Sequence, residues 1–276
     1  MHDFKHISEF ITSGFGETLW PTRCIGCDIP GTLLCPDCRE KLPLIDTRLA
    51  CPYCGSPFGK FNCTECGSLL CATQKEADEL LVHSGDRPRI ETLRPYFPTR
   101  AALVYAGIGK RLITAYKDGG EQRLDTLIAT LMLEAIRGEI VTGAQVPRCF
   151  GAVRVADLSQ WADAIVPVPA SKAAYARRGF DHMGRISKLL GAWTGLPVLD
   201  ALVQRQHVGD QRTLTRAERA SNRADSFAVA PDVALPPRIL LIDDVLTTGA
   251  TTVAASEALL AGGSTHIAVT VCARVW

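Results

Sequence analysis

Two adjacent aspartates followed by a threonine-rich loop are the residues of this 276-residue chain best suited to chemistry. The apolar run Ile239, Leu240, Leu241 and Ile242 predicts a buried strand. It delivers Asp243 and Asp244 at its carboxyl end, the edge of an open α/β sheet where ligands bind. Paired carboxylates there suit ribose hydroxyls, or a magnesium ion close to them. Thr247, Thr248, Gly249, Ala250, Thr251 and Thr252 then supply backbone N–H groups and hydroxyls around a glycine, at the start of a helix expected to run through Val253 and Leu260. Amides at a helix N-terminus form a phosphate site by geometry and dipole. An ordinary helix cap needs one Asp or Thr, not two aspartates and four threonines around a glycine. No GxxxxGK(S/T) pattern accompanies the loop, which argues against an NTPase.

A second chemistry lies upstream. Eight of the eleven cysteines form CxxC pairs at Cys24/Cys27, Cys35/Cys38, Cys51/Cys54 and Cys63/Cys66, while Cys71, Cys149 and Cys272 stand alone. Two thiolates spaced in this way share one tight turn and reach a common metal, and two such turns complete a tetrahedral site. Seven residues separate Cys27 from Cys35 and eight separate Cys54 from Cys63, which fits two adjacent four-cysteine zinc ribbons. A cross-braced pairing, first turn with third and second with fourth, satisfies the same chemistry. A redox dithiol is the rival reading, but four pairs within 43 residues and no thioredoxin-like strand in front speak for two structural Zn2+ ions.

The elements that position these groups divide by composition. Residues 1–82 carry the cysteine pairs, 83–99 hold Pro88, Pro95 and Pro98 and read as a linker, and 100–276 alternate strand-like and helix-like segments. Ala101–Tyr105, Ala164–Val168, Arg238–Ile242 and His266–Cys272 read as strands, and Leu124–Ile136 as a helix. This alternation predicts an α/β fold, a mostly parallel sheet covered by helices. Phe4, Ile7, Phe10 and Ile11 have helical spacing, suited to packing on their own domain or docking on a partner or membrane. The net charge of +1 gives no global argument for a polyanionic partner. Residues 1–98 hold ten Lys+Arg against thirteen Asp+Glu, so the cysteine module is acidic and fits a structural or partner-docking role better than a grip on phosphates. No run approaches a transmembrane span and the start lacks signal-peptide order, so the expected location is the cytoplasm.

The stretch ILLIDDVLTTGATT resembles the signature of type I phosphoribosyltransferases: four apolar residues, two acids and a TTG(A/G)T loop. The resemblance implies the type I phosphoribosyltransferase fold. It places Asp243 and Asp244 on the ribose hydroxyls of phosphoribosyl pyrophosphate and Thr247 to Thr251 around its 5-phosphate. Val166–Pro169 (VPVP), Arg177-Arg178-Gly179-Phe180, the YKDGG of Tyr116–Gly120, the segment Gln211–Phe227 and the CxxC pairs together resemble the ComF family of competence-associated proteins. That family commonly continues RGF with Asn and Gln where this chain has Asp181 and His182, so the resemblance assigns no role to those two side chains.

In the related enzymes a loop near the end of an early strand binds pyrophosphate, and by position VPVPASK is the candidate for it here. Lys172, Arg177 and Arg178 are then expected on the anionic leaving group, with Mg2+ accompanying it; the alternative is solvated cations on a helix. Lys117 is either a ligand or an exposed structural lysine. Arg205, Arg212, Arg216, Arg219 and Arg223, against Asp210 and Glu218, form either a hood closing over the ligand or a surface for single-stranded DNA. His182 is not assigned as a base, and no catalytic residue is named. The resemblance implies a protein that binds phosphoribosyl pyrophosphate or a related ribose 5-phosphate, as a phosphoribosyltransferase linked to DNA uptake. The alternative is a non-catalytic phosphoribosyl- or DNA-binding protein working with DNA-uptake partners.

Overall fold

A computed structural model describes residues 22–60, 63–66, 97–142, 156–205 and 226–276. The apolar stripe at residues 4–11, the linker up to residue 96, Cys71, Cys149, and the arginines at 212, 216, 219 and 223 lie outside these residues.

In chain order the elements are α1 (Pro36–Glu40), β1 (Thr99–Val104), α2 (Gly107–Lys117), a 3-10 turn (Gln122–Leu124), α3 (Asp125–Arg137), α4 (Leu158–Trp161), β2 (Ala164–Pro167), α5 (Lys172–Arg178), α6 (His182–Thr194), β3 (Leu202–Gln204), β4 (Phe227–Val229), β5 (Arg238–Leu246), α7 (Ala250–Ala261) and β6 (His266–Arg274). Four strands form one sheet in the order β1-β6-β5-β2, and each neighbouring pair is parallel. β3 and β4 make a separate antiparallel ribbon. The expected parallel sheet with helices is what the chain builds. The two central strands are buried almost throughout, which is why they read as continuous apolar runs rather than alternating ones. β5 runs through Asp243 and Asp244 to Leu246, four residues beyond the apolar run: its ladder with β6 continues to Leu246 opposite Arg274, so polar side chains do not end the strand.

Side chains on the two faces of the sheet fill two cores. On one, α3 presents Ile128, Leu131, Met132, Ala135 and Ile136, spaced three and four apart as a single buried stripe. Gly138, left-handed at φ 72°, ends this helix, and Arg100 donates to the terminal carbonyls of Ala135 and Ile136. Phe180, just before α6, and Met183, Ile186 and Leu190 within it complete that core. The other core joins Val166, Leu241, Leu246, Val269 and Val271 to Ala254, Ala255 and Leu259 of α7 and to Leu202 and Phe227 of the ribbon.

The cysteine-rich half is fastened to the sheet. Ile45 donates to the Ala102 carbonyl at 2.9 Å and Val104 to that of Pro43 at 2.8 Å, so residues 43–45 cover part of the open edge of β1. Ile45 is fully buried in the second core. Asp46 accepts from Arg48 and from the amide and hydroxyl of Thr142, which holds its carboxyl below the usual range despite burial. Among the described residues, no helix is long and apolar enough to cross a membrane.

Candidate ligand site and cysteine clusters

The acid pair sits where β5 approaches the C-terminal edge of the sheet. Asp243 and Asp244 are both buried. Asp244 is the hub: its Oδ2 pairs with the Lys117 ammonium and lies 3.0 Å from His182 Nε2. Arg178 Nη1 approaches the same imidazole, 3.2 Å from Nδ1 and 3.3 Å from Nε2. Lys117 is the last residue of α2 and His182 the first of α6, so two helix ends converge on one carboxylate. Asp181 caps α6 by accepting from the Gly184 amide at 3.0 Å, and the Tyr116 hydroxyl donates to the His182 carbonyl at 2.7 Å. The imidazole is thus held from both sides of its backbone.

The two acids differ in charge state. Burial pushes the Asp243 carboxyl well above the usual carboxylate range, and the Asp244 charge adds to the rise. Burial would raise Asp244 as well, but the His182 hydrogen bond and the Lys117 ammonium outweigh it and keep that carboxyl low. The ionised form is thus favoured at Asp244 and disfavoured at Asp243.

After Leu246 the chain leaves the sheet. Thr247 and Thr248 are exposed, Gly249 takes φ 78° and Ala250 begins α7, with Thr251 exposed on its first turn. The left-handed conformation at Gly249 is open to glycine at little cost and leads from the end of β5 into the first turn of a 12-residue helix. Thr252 turns inward and its hydroxyl donates to the Gly249 carbonyl at 3.0 Å, closing the turn.

The residues expected on pyrophosphate divide. Arg178 joins the acid site, its side chain 7% exposed, and its Nε has no hydrogen-bond acceptor among the described residues, the nearest carboxylate being Asp118 Oδ1 at 3.7 Å. Arg177 is exposed and lies 3.7 Å from the same oxygen. Lys172 is exposed at the start of α5, and no ion pair among the described residues joins it to the acids. The sequence pattern sets His182 aside as a base and does not pick out Asp118, and Lys117 reads equally as ligand and as structural lysine. The available signal was the YKDGG run ending α2 and the four-residue step from Arg178 to His182.

The eight paired cysteines gather as Cys24, Cys27, Cys35, Cys38 and as Cys51, Cys54, Cys63, Cys66, with all four sulfurs of each group within 4.8 Å of one another. The pairing is therefore sequential rather than cross-braced. The sulfurs of Cys27 and Cys35 are 3.6 Å apart, those of Cys54 and Cys63 3.6 Å, and those of Cys51 and Cys66 3.7 Å. A tetrahedron with Zn–S arms of about 2.3 Å has edges of roughly 3.8 Å, so the donor sets fit a zinc ion. A Cβ at Gly59 would stand 2.7 Å from that of Cys51 and 3.0 Å from the Cys63 sulfur, so the second cluster closes over a position that admits only glycine.

No family model matches the chain. Competence protein F of Haemophilus influenzae is 28% identical over 236 residues, 83% of this chain and 86% of that protein. Competence protein ComFC of Streptococcus pneumoniae is 26% identical, covering 75% and 79% of the two chains. DNA utilization protein YhgH of Escherichia coli K12 is 24% identical over 87% of this chain and 96% of that one. An orotate phosphoribosyltransferase from Aeropyrum pernix superposes with a TM-score of 0.31 at 19% identity, over 58% of this chain and 62% of that structure, a likeness too slight to carry weight. The fold class stands instead on the parallel strand order, the acid pair at the sheet's edge and the helix that follows. With two four-cysteine clusters fastened to that sheet, the chain is similar along most of its length to the proteins named Competence protein F and ComFC.

Proposed function

We propose that the edge formed by Asp243, Asp244 and Thr247–Thr251 binds the ribose 5-phosphate portion of phosphoribosyl pyrophosphate, and that the protein is a phosphoribosyltransferase-type protein acting in DNA uptake. One observation carries the reading: a buried acid pair, one member already held by Lys117 and His182, is followed within a few residues by a left-handed glycine and a helix N-terminus. Ribose hydroxyls need acceptors, a 5-phosphate needs amides and hydroxyls, and the chain sets the two side by side in that order.

Asp243 and Asp244 accept from the ribose hydroxyls. The Thr247, Thr248 and Thr251 hydroxyls and the first amides of α7 take the phosphate. Arg178, with its uncommitted Nε, and Lys117 face the pyrophosphate as charge builds on its oxygens. Lys172 and Arg177 are the outer cations of that path. Magnesium, when bound, neutralises pyrophosphate charge and fits beside the acid pair; the two cysteine clusters hold structural zinc.

Calorimetric titration with phosphoribosyl pyrophosphate and magnesium tests the ligand. Binding in the wild type and none after Asp243→Asn/Asp244→Asn is expected; equal binding by both would overturn the reading. Pyrophosphate release with nucleobases or amines as acceptors separates a transferase from a protein that only senses the ligand. The curated names of the relatives, which speak of competence and DNA utilization, support the link to DNA uptake.

A further inference from the structure

A buried arginine ties the second cysteine cluster to the ligand edge of the sheet. Arg274 ends β6 with its side chain 1% exposed. Its Nη2 lies 3.7 Å from the Cys54 sulfur and 3.8 Å from Glu65 Oε2, between the ligands Cys63 and Cys66 in sequence. Four thiolates around a divalent cation carry a net charge of −2, and all four sulfurs of this cluster belong to buried residues. A guanidinium against one sulfur neutralises part of that charge and donates to a metal-bound thiolate, the kind of contact that tunes metal affinity. The dependence runs both ways, since a buried guanidinium is itself costly without its anionic neighbours.

The backbone of Arg274 faces elsewhere. Its residue pairs with Leu246 across the β5–β6 ladder, Val275 donates to the Leu246 carbonyl at 2.9 Å, and Tyr105 donates to the Arg274 carbonyl at 2.7 Å. Leu246 is buried in the core and immediately precedes Thr247. Arg274 therefore touches the cluster through its side chain and lies in register with Leu246 at the root of the threonine loop, where the next residue, Val275, makes the hydrogen bond to the Leu246 carbonyl.

We infer that Arg274 is a positioning residue for a metal ion held by Cys51, Cys54, Cys63 and Cys66, and that loading of this cluster orders the root of the Thr247–Thr251 loop. The inference rests on the reading that the clusters hold metal. Its consequence goes further: the two clusters are unequal, and the second meets the strand that lies in register with the root of the threonine loop.

The test measures zinc content and affinity by competition with a chromophoric chelator, in the full-length wild type and in Arg274→Gln. The wild type should release its two ions in two steps. In the variant one step should weaken by about tenfold to a hundredfold, with the other unchanged. Amide exchange at Val245–Ala250 should quicken at least about tenfold in the same variant. Two ions held as tightly as in the wild type, with exchange at 245–250 unchanged, would overturn the inference. Absence of zinc from both proteins would sink the metal reading itself, a separate failure. If Arg274→Gln does not fold, the wild type still decides: chelation that empties both clusters must accelerate exchange at 245–250, and unchanged exchange refutes the coupling.

Discussion

His182 Nε2 lies 3.0 Å from Asp244 Oδ2, on the oxygen that also receives the Lys117 ammonium. The two donors come from helices 65 positions apart in sequence, and their meeting fixes where the acid presents its second oxygen. His182→Ala should leave α6 in place, because its cap is the Asp181 side chain and the Tyr116 hydroxyl reaches the main chain of residue 182. Loss of one hydrogen bond to a charged, buried group costs about 1.5–3 kcal/mol. Affinity for phosphoribosyl pyrophosphate is expected to fall by roughly tenfold or more, read by calorimetry, with the circular dichroism spectrum unchanged.

The two aspartates should separate stability from binding. Asp243 has a raised folded pKa, so its protonated form favours folding. That contribution is present at low pH and is lost as pH rises through the raised value. Near pH 8, Asp243→Asn removes a carboxylate that repels Asp244, and its melting temperature should match or exceed the wild type. Asp244 has a lowered pKa and contributes stability above the usual carboxylate range, lost as pH falls. Asp244→Asn leaves Lys117 without its anion and should lower the melting temperature by several degrees, at about 2–4 °C per kcal/mol for a chain of this size. Both variants should lose ligand binding, so the melting curves distinguish them where the titrations do not.

Proton release follows from the same asymmetry. A cation or ribose hydroxyl reaching Asp243 favours its ionised form, so binding near neutral pH should expel a proton, and progressively less of one as pH is raised past the folded pKa. Titrations in two buffers of different ionisation enthalpy measure this directly. A proton count that does not change with pH would remove Asp243 from the binding step.

Much of this site is legible in the residues because its chemistry is local. ILLIDDVLTTGATT is one strand, one turn and one helix start, and neither the acids nor the loop needs the rest of the chain to be recognised. Helix α3 is legible for the same reason, its stripe from Ile128 to Ile136 being a periodic pattern. Lys117, Asp118 and His182 are different. Lys117 and His182 reach Asp244, and Asp118 approaches Arg178, only because helix ends far apart in the chain come together in the fold, and no spacing encodes that approach. Arg274 was hidden by its strand: an arginine after Val271, Cys272 and Ala273 reads as the exposed end of an apolar run, yet the cysteine module folds over it. The cysteines gave the ligand set but not its grouping, because a CxxC turn can share a metal with any other, and the tertiary fold decides which.

The unequal seating of the two clusters predicts unequal consequences when each is broken. In the first, Cys27 is exposed and the surrounding contacts to the sheet domain are at the surface, such as Arg111 Nη1 to the Gly26 carbonyl at 2.6 Å and Arg123 to Thr22. In the second, all four cysteines are buried, the Thr99 amide donates to the Pro52 carbonyl at 3.1 Å at the start of β1, and Arg274 meets Cys54. Removing one thiolate weakens the metal site in either case, but in the second it also takes the Cys54 sulfur from a buried guanidinium and loosens the segment that bonds the start of β1. Cys54→Ser should therefore cost more than about 3 kcal/mol, and Cys27→Ser distinctly less. Differential scanning fluorimetry of the two variants, with zinc content measured on the same samples, checks this. Equal melting temperatures at equal metal loss would mean that the second cluster supports the sheet no more than the first.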